Sequence, residues 1–300
     1  MNKIILASRE SLLALWQTNY AKTEIEQKLN LICEVITMKT KGDIILDQPL
    51  SKIGGKALFM KELEIAMRNG EANIAVHSLK DVPYKLPDGF CLATFFPREN
   101  PTDAFVSNIY KTINDLPNGA VVGTSSLRRK SQLLNYRPDL IMKDLRGNVQ
   151  TRLQKLDNGM YDAIVLASAG LIRLDEKARI AQYIPKEISL PAVGQGVVVI
   201  EAFEQNVELV AKLKTLSCAE SYKCVMAERS FNEELKGGCH VAIAAHAEVV
   251  EDRIRLEAMV ASSDGSEILR KAINGTDAVI IGKQLAHEMI ELGAYRILGK

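Results

Sequence analysis

The amino-acid sequence predicts an α/β protein with two hinged α/β domains and a small C-terminal α+β domain. Apolar runs of strand length alternate with helical patterns along most of the chain, as in α/β folds. Two stretches rich in proline or glycine, 95–105 and 189–196, bracket a central segment. After about residue 217, strand patterns instead follow one another directly. We therefore expect a domain 1 over 1–98 and 195–216, an inserted domain 2 over 99–194 and a domain 3 over 217–300.

The composition disfavours several functional classes. The net charge of the 300 residues is only +1 and there is one tryptophan, which argues against a nucleic-acid-binding protein. The N-terminus has no signal-peptide pattern and no apolar run approaches about 18 residues, so we expect a soluble cytoplasmic protein. The five cysteines are scattered without disulfide or metal-ligand spacing. This pattern fits a reducing compartment and predicts no metal site.

The first βαβ unit places a cation at the end of a strand. Residues 3–8 are a predicted strand, and the next helix begins with Ser8 or Ser11 as its cap. Its predicted apolar stripe contains five residues: Leu12, Leu13, Leu15, Trp16 and Tyr20. A second strand covers 33–40. Arg9 therefore lies where open α/β sheets bind ligands.

The segment 41–57 has no clear period and is either a mobile lid or a plain surface loop. A helix is predicted over 58–70, with its inward face formed by Phe59, Leu63, Ala66 and Met67 and with Gly70 at its end. The next strand, 72–79, runs into Lys80 and Asp81, and Pro83 then stops regular structure. Asp81 is either a partner of Lys80, a loop cap, or a carboxylate held ionised among cations. His77 is predicted to be a structural histidine.

The strongest indication of a ligand-binding site comes from two strand-to-helix junctions between residues 121 and 152. At the first, Gly123 and Thr124 lead to Ser125 or Ser126 as a helix cap, followed at once by Arg128 and Arg129. Cations in a first helical turn oppose the helix dipole by about 0.3–1 kcal/mol each. An anion bound at this helix N-terminus would remove that penalty.

The second junction repeats this arrangement. A strand over 140–145 is followed by Arg146, by Asn148 as a cap, and by a helix over 149–156 that carries Arg152. Arg173 follows a further apolar strand, 163–167. These arginines are either solvated surface residues or a polyanion site, since guanidinium groups bind carboxylate and phosphate bidentately.

The C-terminal part reads as a helix over 221–235 followed by a Gly237-Gly238-Cys239 turn. Three strands are predicted over 241–250, 254–262 and 268–273. The final helix has an apolar side formed by Ile281, Leu285, Met289 and Leu292. Cys239 is either a small buried hydrophobe or an accessible thiol that other groups can approach beside the glycines.

Five motifs resemble the porphobilinogen deaminase, or hydroxymethylbilane synthase, family: HSLKDVP (77–83), VGTSSLRR (122–129), LRGNVQTRL (145–153), LPAVGQG (190–196) and KGGC (236–239). The resemblance implies two hinged α/β domains of the type II periplasmic-binding-protein-like kind. It also implies a transferase of tetrapyrrole and heme biosynthesis, which deaminates four porphobilinogen molecules and joins them head to tail. The growing chain would extend a dipyrromethane cofactor bonded through a thioether to Cys239.

The resemblance also assigns roles to residues. Asp81 matches the catalytic carboxylate, which assists loss of the amine and stabilises the cationic intermediates. The cofactor-binding residues implied are Lys80, Thr124, Ser126, Arg128, Arg129, Arg146 and Cys239. The substrate-binding residues implied are Arg9, Ser11, Lys56, Arg152, Arg173 and Gln195, of which Lys56 lies on the lid and Gln195 on the hinge. We expect porphobilinogen as the small-molecule partner, and a monomer that binds neither nucleic acid nor membrane.

Some residues depart from the family pattern. His240 and Ala242 stand where glutamine and proline are usual after the cofactor cysteine, and Val197 and Val199 stand where smaller residues are common. We expect only local effects. The competing hypothesis is a non-catalytic hinged protein that binds a small polycarboxylate. Such a protein needs neither Cys239 nor a third domain.

Overall fold

The computed structural model describes residues 3–44, 59–238 and 241–299. The chain divides into two compact units, one formed by Met1–Glu99 with Gly196–Tyr222 and the other by Asn100–Gln195 with Lys223–Lys300. Lys56, Cys239, His240 and the predicted lid from position 45 onward lie outside the described residues.

Strands and helices alternate through most of the chain and are numbered from the N-terminus. The strands are β1 (Lys3–Arg9), β2 (Ile32–Met38), β3 (Ile74–Ser78), β4 (Phe90–Phe95), β5 (Asp103–Val106), β6 (Val121–Gly123), β7 (Ile141–Lys143), β8 (Ala163–Ala167), β9 (Gln182–Ile184), β10 (Val198–Phe203), β11 (Ala242–Val250), β12 (Arg253–Ala261) and β13 (Ile268–Gly275). The helices are α1 (Leu12–Leu29), α2 (Lys41–Ile44), α3 (Lys61–Arg68), α4 (Leu127–Tyr136), α5 (Val149–Asp157), α6 (Ser168–Arg173), α7 (Val207–Lys214), α8 (Ala219–Glu234), α9 (Ala278–Glu291) and α10 (Ala294–Ile297). Short 3₁₀ turns cover Leu79–Asp81, Ile113–Asp115 and Lys177–Arg179.

The first unit is built on a five-stranded sheet in the order β2-β1-β3-β10-β4. β1 runs parallel to β2 and β3, whereas β10 is antiparallel to both of its neighbours. Parallel strands end at the same edge of a sheet, so Arg9 and the turn after Ser78 lie on one side. Apolar residues of the strands and helices, including Ile4, Ile25 and Ile200, fill the core.

Helix α1 buries a different face from the one predicted. Ala14, Thr18, Ala21 and Ile25 are among its buried residues. Leu12, in contrast, is 56% exposed, so the predicted stripe is wrong in part. The apolar pattern extends over more than one helix face, and the small residues allow the closest approach to the sheet.

Helix α3 confirms its predicted inward residues Leu63, Ala66 and Met67, which are buried. It is shorter than predicted at both ends. Gly70 follows the C-cap Asn69 and adopts a φ of 77°, the left-handed conformation that glycine provides after a helix.

The second unit contains a five-stranded sheet in the order β7-β6-β8-β5-β9. β6 is parallel to β7 and β8, and β5 runs antiparallel to β8 and β9. In this register Asp103, the first residue of β5, is paired with Ala167, the last residue of β8. The start of β5 therefore lies at the edge where the parallel strands end.

The same unit includes the antiparallel sheet β11-β12-β13. Its core contains Phe231 from α8, Leu256 from β12 and Leu285 from α9. The predicted apolar side of the last helix holds for Ile281, Leu285 and Met289. It is wrong for Leu292, which is 55% exposed because it lies at the C-cap, where the helical period ends.

The turn between β12 and β13 packs on α4. Gly265 has a φ of 75°, and a Cβ there would collide with the carbonyl oxygen of Ser131. The side-chain amide of Asn135 also donates to the Gly265 carbonyl at 3.2 Å. The predicted turn at Asp264-Gly265 therefore contacts α4, the helix that carries Arg128 and Arg129.

The predicted fold class is confirmed: two five-stranded mixed sheets with helices are followed by a small three-stranded sheet. In the described parts of the chain, no helix combines the length and apolar character needed to cross a bilayer.

Candidate active site

The junction between β6 and α4 forms as predicted, with Ser126 as the N-cap. Its hydroxyl accepts from the backbone N–H of Arg129 at 3.4 Å. The hydroxyl of Thr124 accepts from the Ser126 N–H at 3.2 Å. Ser125 instead joins the two junctions, because its hydroxyl donates to the carbonyl of Leu145 and accepts from the Leu145 N–H. A Cβ on Gly123 would lie 2.9 Å from the Tyr161 ring, so the tight strand end requires glycine.

Arg128 and Arg129 lie in the first turn of α4 and are buried, with exposures of 5% and 6%. Both guanidinium groups bind one carboxylate, that of Asp103. Arg128 also donates to the carbonyl of Leu190 at 2.7 Å, and Arg129 to the carbonyl of Val165 at 3.0 Å. These two arginines are therefore not solvated surface residues. Asp103, 25 residues before Arg128, supplies an anion at the helix N-terminus that the sequence could not locate.

Asp103 is a site residue that sequence reasoning missed, since the pattern of 95–105 indicates only a linker. The carboxylate is 0% exposed. It also accepts from the hydroxyl of Ser189 at 2.7 Å and from the amide of Gln195 at 3.0 Å. Burial opposes ionisation, but the charges and hydrogen bonds of Arg128 and Arg129 outweigh it and hold the pKa of Asp103 far below its ordinary value. The available signal was a lone aspartate opening the apolar strand DAFV.

In this buried cluster two guanidinium groups lie against the single carboxylate of Asp103. The positive end of the α4 dipole lies at the same place. Guanidinium groups and a helix N-terminus both favour a bound anion. The cluster is therefore suited to bind carboxylate or phosphate.

The junction between β7 and α5 carries two more predicted residues. Asn148 caps α5 as predicted, accepting from the Thr151 N–H at 2.8 Å. Arg152 donates from Nε to the carbonyl of Gly147 at 2.8 Å, which holds its side chain against the turn. Arg146 is half-buried, and burial lowers the pKa of its guanidinium. Arg146 thus precedes α5 and Arg152 lies in its first turns, next to the junction that carries Ser126.

Arg173 ends the short helix α6, which begins directly after β8. The segments that follow the parallel strands β6, β7 and β8 therefore begin at one edge of the second unit's sheet. These segments carry Ser126, Arg146 and Arg173. Gln195 belongs to the same unit, and its amide donates to Asp103, the carboxylate that Arg128 and Arg129 also bind.

In the first unit, Arg9 ends β1 and binds a carboxylate of its own. Its Nε donates to Asp43 at 3.1 Å, its Nη2 binds the other oxygen, and its guanidinium lies 4.3 Å from the ring centroid of Phe59. Burial opposes the charge of Asp43, but Arg9 and Thr40 hold its pKa below the ordinary value. Ser11 rather than Ser8 caps α1, accepting from the Ala14 N–H at 3.3 Å.

Lys80 and Asp81 are half-buried in the 3₁₀ turn that follows β3. The turn is closed by backbone bonds, from the Val82 N–H to the Leu79 carbonyl and from the Leu79 N–H to the Val197 carbonyl. In β3, just before this turn, His77 is buried and its Nε2 lies 2.9 Å from the carboxylate of Glu201. The predicted structural role of His77 is confirmed. Arg9 and Asp81 thus follow neighbouring parallel strands of one sheet.

Among solved structures, the fold is similar to the periplasmic VFT2 domain of Bordetella pertussis BvgS, with 14% identity and a TM-score of 0.44 over 72% of this chain and 86% of that one. It is also similar to the methionine binding protein MetQ, with 15% identity and a TM-score of 0.44 over 74% of this chain and 90% of that one.

Sequence comparison covers the whole chain. A porphobilinogen deaminase of Francisella philomiragia subsp. philomiragia is 68% identical over 300 residues, which is 100% of both chains. One from Francisella tularensis subsp. novicida is 68% identical over 298 residues, or 99% of each chain. Residues 4–211 match the family described as "Porphobilinogen deaminase, dipyromethane cofactor binding domain", and residues 222–291 match "Porphobilinogen deaminase, C-terminal domain". The chain therefore belongs to the porphobilinogen deaminase family.

Proposed function

We propose that this protein is a hydroxymethylbilane synthase, which deaminates four porphobilinogen molecules and joins them head to tail into a linear tetrapyrrole. Family membership along the full chain carries the proposal. The buried cluster of Arg128, Arg129 and Asp103 supports it, because each pyrrole unit brings an acetate and a propionate that need cationic partners.

The donor set fits the dipyrromethane cofactor of the family. Guanidinium groups, an ammonium group and the capped N-terminus of α4 are partners for carboxylates. When bound, the cofactor supplies the pyrrole carbon to which the first substrate is joined. We assign its carboxylates to Lys80, Thr124, Ser126, Arg128, Arg129 and Arg146, and its thioether bond to Cys239.

Asp81 is the proposed catalytic residue. Loss of ammonia from porphobilinogen leaves a cation that the pyrrole nitrogen stabilises, and a fixed carboxylate nearby lowers that barrier. The backbone-bonded 3₁₀ turn holds Asp81 in place after β3. The competing interpretation makes Asp81 a structural partner of Lys80.

The remaining site residues are assigned to the incoming substrate and the growing chain. Arg9, Arg152 and Arg173 provide guanidinium groups for carboxylates. Ser11 and Gln195 already hold hydrogen bonds, to the start of α1 and to Asp103, which favours a positioning role for both. Lys56 is assigned to the lid.

The decisive test is the intact mass of the purified protein. The wild type is expected to exceed its sequence mass by two pyrrole units, and Cys239→Ser to match the bare chain and to be inactive. Alanine variants of Cys33, Cys91, Cys218 and Cys224 are the matched controls and retain the added mass. An active wild type with the bare-chain mass would refute the cofactor assignment. A protein that binds porphobilinogen without releasing ammonia would instead be the hinged binding protein.

Asp81 is tested by single-turnover release of ammonia. Asp81→Asn preserves shape but removes the charge, so its rate falls by several orders of magnitude, where about 1.4 kcal/mol of barrier is a factor of ten. Asp81→Glu keeps the charge and retains part of the rate. Thermal melts control for folding. Equal rates in the two folded variants would favour the structural pairing with Lys80.

The protein is further proposed to be a cytoplasmic monomer with a third domain over 217–300. The separate apolar core formed by Phe231, Leu256 and Leu285 supports that domain. Light scattering during size-exclusion chromatography tests the monomer, cell fractionation tests the compartment, and limited proteolysis near residue 217 tests the boundary.

A further inference from the structure

The carboxylate of Asp103 is held by four side chains of this chain. Five hydrogen bonds of 2.7–3.1 Å and an ion-pair contact of 2.8 Å from Arg129 join it to Arg128, Arg129, Ser189 and Gln195. Nearly all of its acceptor capacity is used by this chain, so Asp103 is not itself available to a ligand. Its effect must pass through the groups that it holds.

The bonds to Arg128 occupy one particular edge of its guanidinium. Nη1 donates to Oδ2 at 2.7 Å and Nη2 to Oδ1 at 3.1 Å. Asp103 therefore binds the end-on edge, which is formed by the two Nη atoms. The carbonyl of Leu190 takes the other Nη1 hydrogen at 2.7 Å. Among the residues that the structure describes, the Nε–H and the second Nη2–H of Arg128 have no acceptor. These two N–H groups form the side-on edge, which matches a carboxylate bidentately.

Asp103 also fixes a second segment to the start of α4. Ser189, the first residue of the stretch 189–196, and Gln195, its last but one, both donate to it. Gln132 of α4 holds Leu190 between them, accepting from its N–H at 2.7 Å and donating to its carbonyl at 3.2 Å. The position of Arg128 is thus set by groups from β5, from α4 and from this stretch. All of these groups belong to the second unit.

We propose that Asp103 is a positioning residue that turns Arg128 so that its Nε–Nη2 edge receives a carboxylate of the bound pyrrole chain. This proposal rests on the proposed function. It adds that the guanidinium is useful only in one orientation, and that a buried carboxylate outside the recognised motifs sets that orientation. A long arginine side chain otherwise has several rotamers, so an unsupported Arg128 would lose much of its bidentate contact.

The test compares Asp103→Asn with Asp139→Asn. Asp139 is the matched control because it also binds an arginine, Arg137, with two 2.7 Å bonds, but at the C-terminal end of α4. The readouts are the fraction of protein carrying two pyrrole units, the KM and kcat of the loaded fraction, and thermal melts. We expect Asp103→Asn to reduce loading at least tenfold at temperatures where it is folded, and Asp139→Asn to load as the wild type does.

Asp103→Glu separates positioning from folding. It keeps the buried negative charge but moves it by one methylene, so we expect a folded protein with loading reduced and KM raised several-fold. The double variant Asp103→Asn with Arg128→Gln should lose no more loading than the more severe single variant, because both act through one guanidinium edge. Wild-type loading and KM in folded Asp103→Asn or Asp103→Glu would overturn the proposal, and so would additive losses. An active wild-type protein without added mass would instead refute the cofactor assignment, and a wild type that binds porphobilinogen without releasing ammonia would refute the proposed function, whatever the Asp103 variants show.

Discussion

Both units contain ion pairs between arginine and aspartate, but the two arrangements differ in charge and burial. In the second unit, Arg128 and Arg129 share the fully buried Asp103. In the first unit, Arg9 binds Asp43 with both side chains about one quarter exposed. The first arrangement places two cations on one buried anion, whereas the second is a one-to-one pair near the surface.

The difference indicates two ways of binding a carboxylate. At Asp103 a ligand carboxylate would bind the side-on edge of Arg128, which the Asp103 carboxylate does not occupy, so ligand binding would also stabilise the fold. At Arg9 the ligand must displace Asp43 or share the guanidinium with it. The proposed function accordingly assigns the first site to a permanently bound cofactor and the second to a substrate that enters and moves on.

The largest expected difference in unfolding free energy comes from replacing Arg128 in the second unit and Arg9 in the first unit. Arg128→Leu breaks buried charge-assisted bonds and should lower the free energy of unfolding by about 3 kcal/mol. Arg9→Leu breaks a partly exposed pair and should lower it by less than about 1 kcal/mol. Urea unfolding of both variants measures the difference. Equal losses would show that burial does not distinguish the two regions.

Glu64 in the first unit and Asp103 in the second have pKa values that are shifted in opposite directions. Their contributions to stability should therefore depend on pH in opposite ways. Burial and the negative charge of Glu201 raise the pKa of Glu64 to about 7 from 4.5. Between those values folded Glu64 keeps a proton that the unfolded chain releases, so stability falls as pH rises through this range. Because Glu64 is partly exposed, we expect about 1 kcal/mol after screening is allowed for. The pKa of Asp103 is lowered, so its contribution is lost instead as pH falls below 3.8.

Glu64→Gln isolates the first of these effects. Melting temperatures at about pH 5 and about pH 7.5 should differ less in this variant than in the wild type. Glu62→Gln, two residues earlier on α3, is the matched control and should leave the difference unchanged. An unchanged difference in Glu64→Gln would mean that another group carries the pH dependence.

Freeing Arg9 tests whether Asp43 competes with the substrate. Asp43→Asn removes the internal anion, so the KM for porphobilinogen should fall by about two- to fivefold, the equivalent of up to about 1 kcal/mol. Glu34→Gln removes the exposed partner of Lys3 in the same unit and should leave KM unchanged. A raised KM in Asp43→Asn would show that Asp43 supports Arg9 instead of competing with the substrate.

The smallest expected effect comes from removing the N-cap of α4 or that of α5. Asn148→Ala should lower the unfolding free energy by about 1 kcal/mol, and Ser126→Ala by about half as much, because the Ser126 bond is longer at 3.4 Å. Denaturant unfolding measures both variants. A greater loss in Ser126→Ala would show that its cap is stronger than its bond length indicates.

Local signals predicted much of the fold and part of the site. The Asn148 cap and the strand Ala163–Ala167 follow from residues close in sequence, and both are confirmed. For the other two caps the sequence left two candidates each, and the structure selects Ser11 over Ser8 and Ser126 over Ser125. Burial of α1 was predicted less well because its apolar residues cover several faces. Asp103 could not be connected to Arg128 at all, since their contact depends on the register of β5 against β8. Long-range pairing of charges requires the topology, which no local pattern contains.

The place of β10 in the first sheet has a consequence for the order of folding. β10 lies between β3 and β4, yet it is made about 100 residues after β4. A nascent chain that has emerged only as far as β4 cannot complete this sheet, whereas β5 to β9 form the second unit's sheet from one continuous segment. Non-local strand pairing is slow because a long loop must close first. The segment between β4 and β10, which contains β5 to β9, can therefore fold during synthesis before the first unit's sheet is complete.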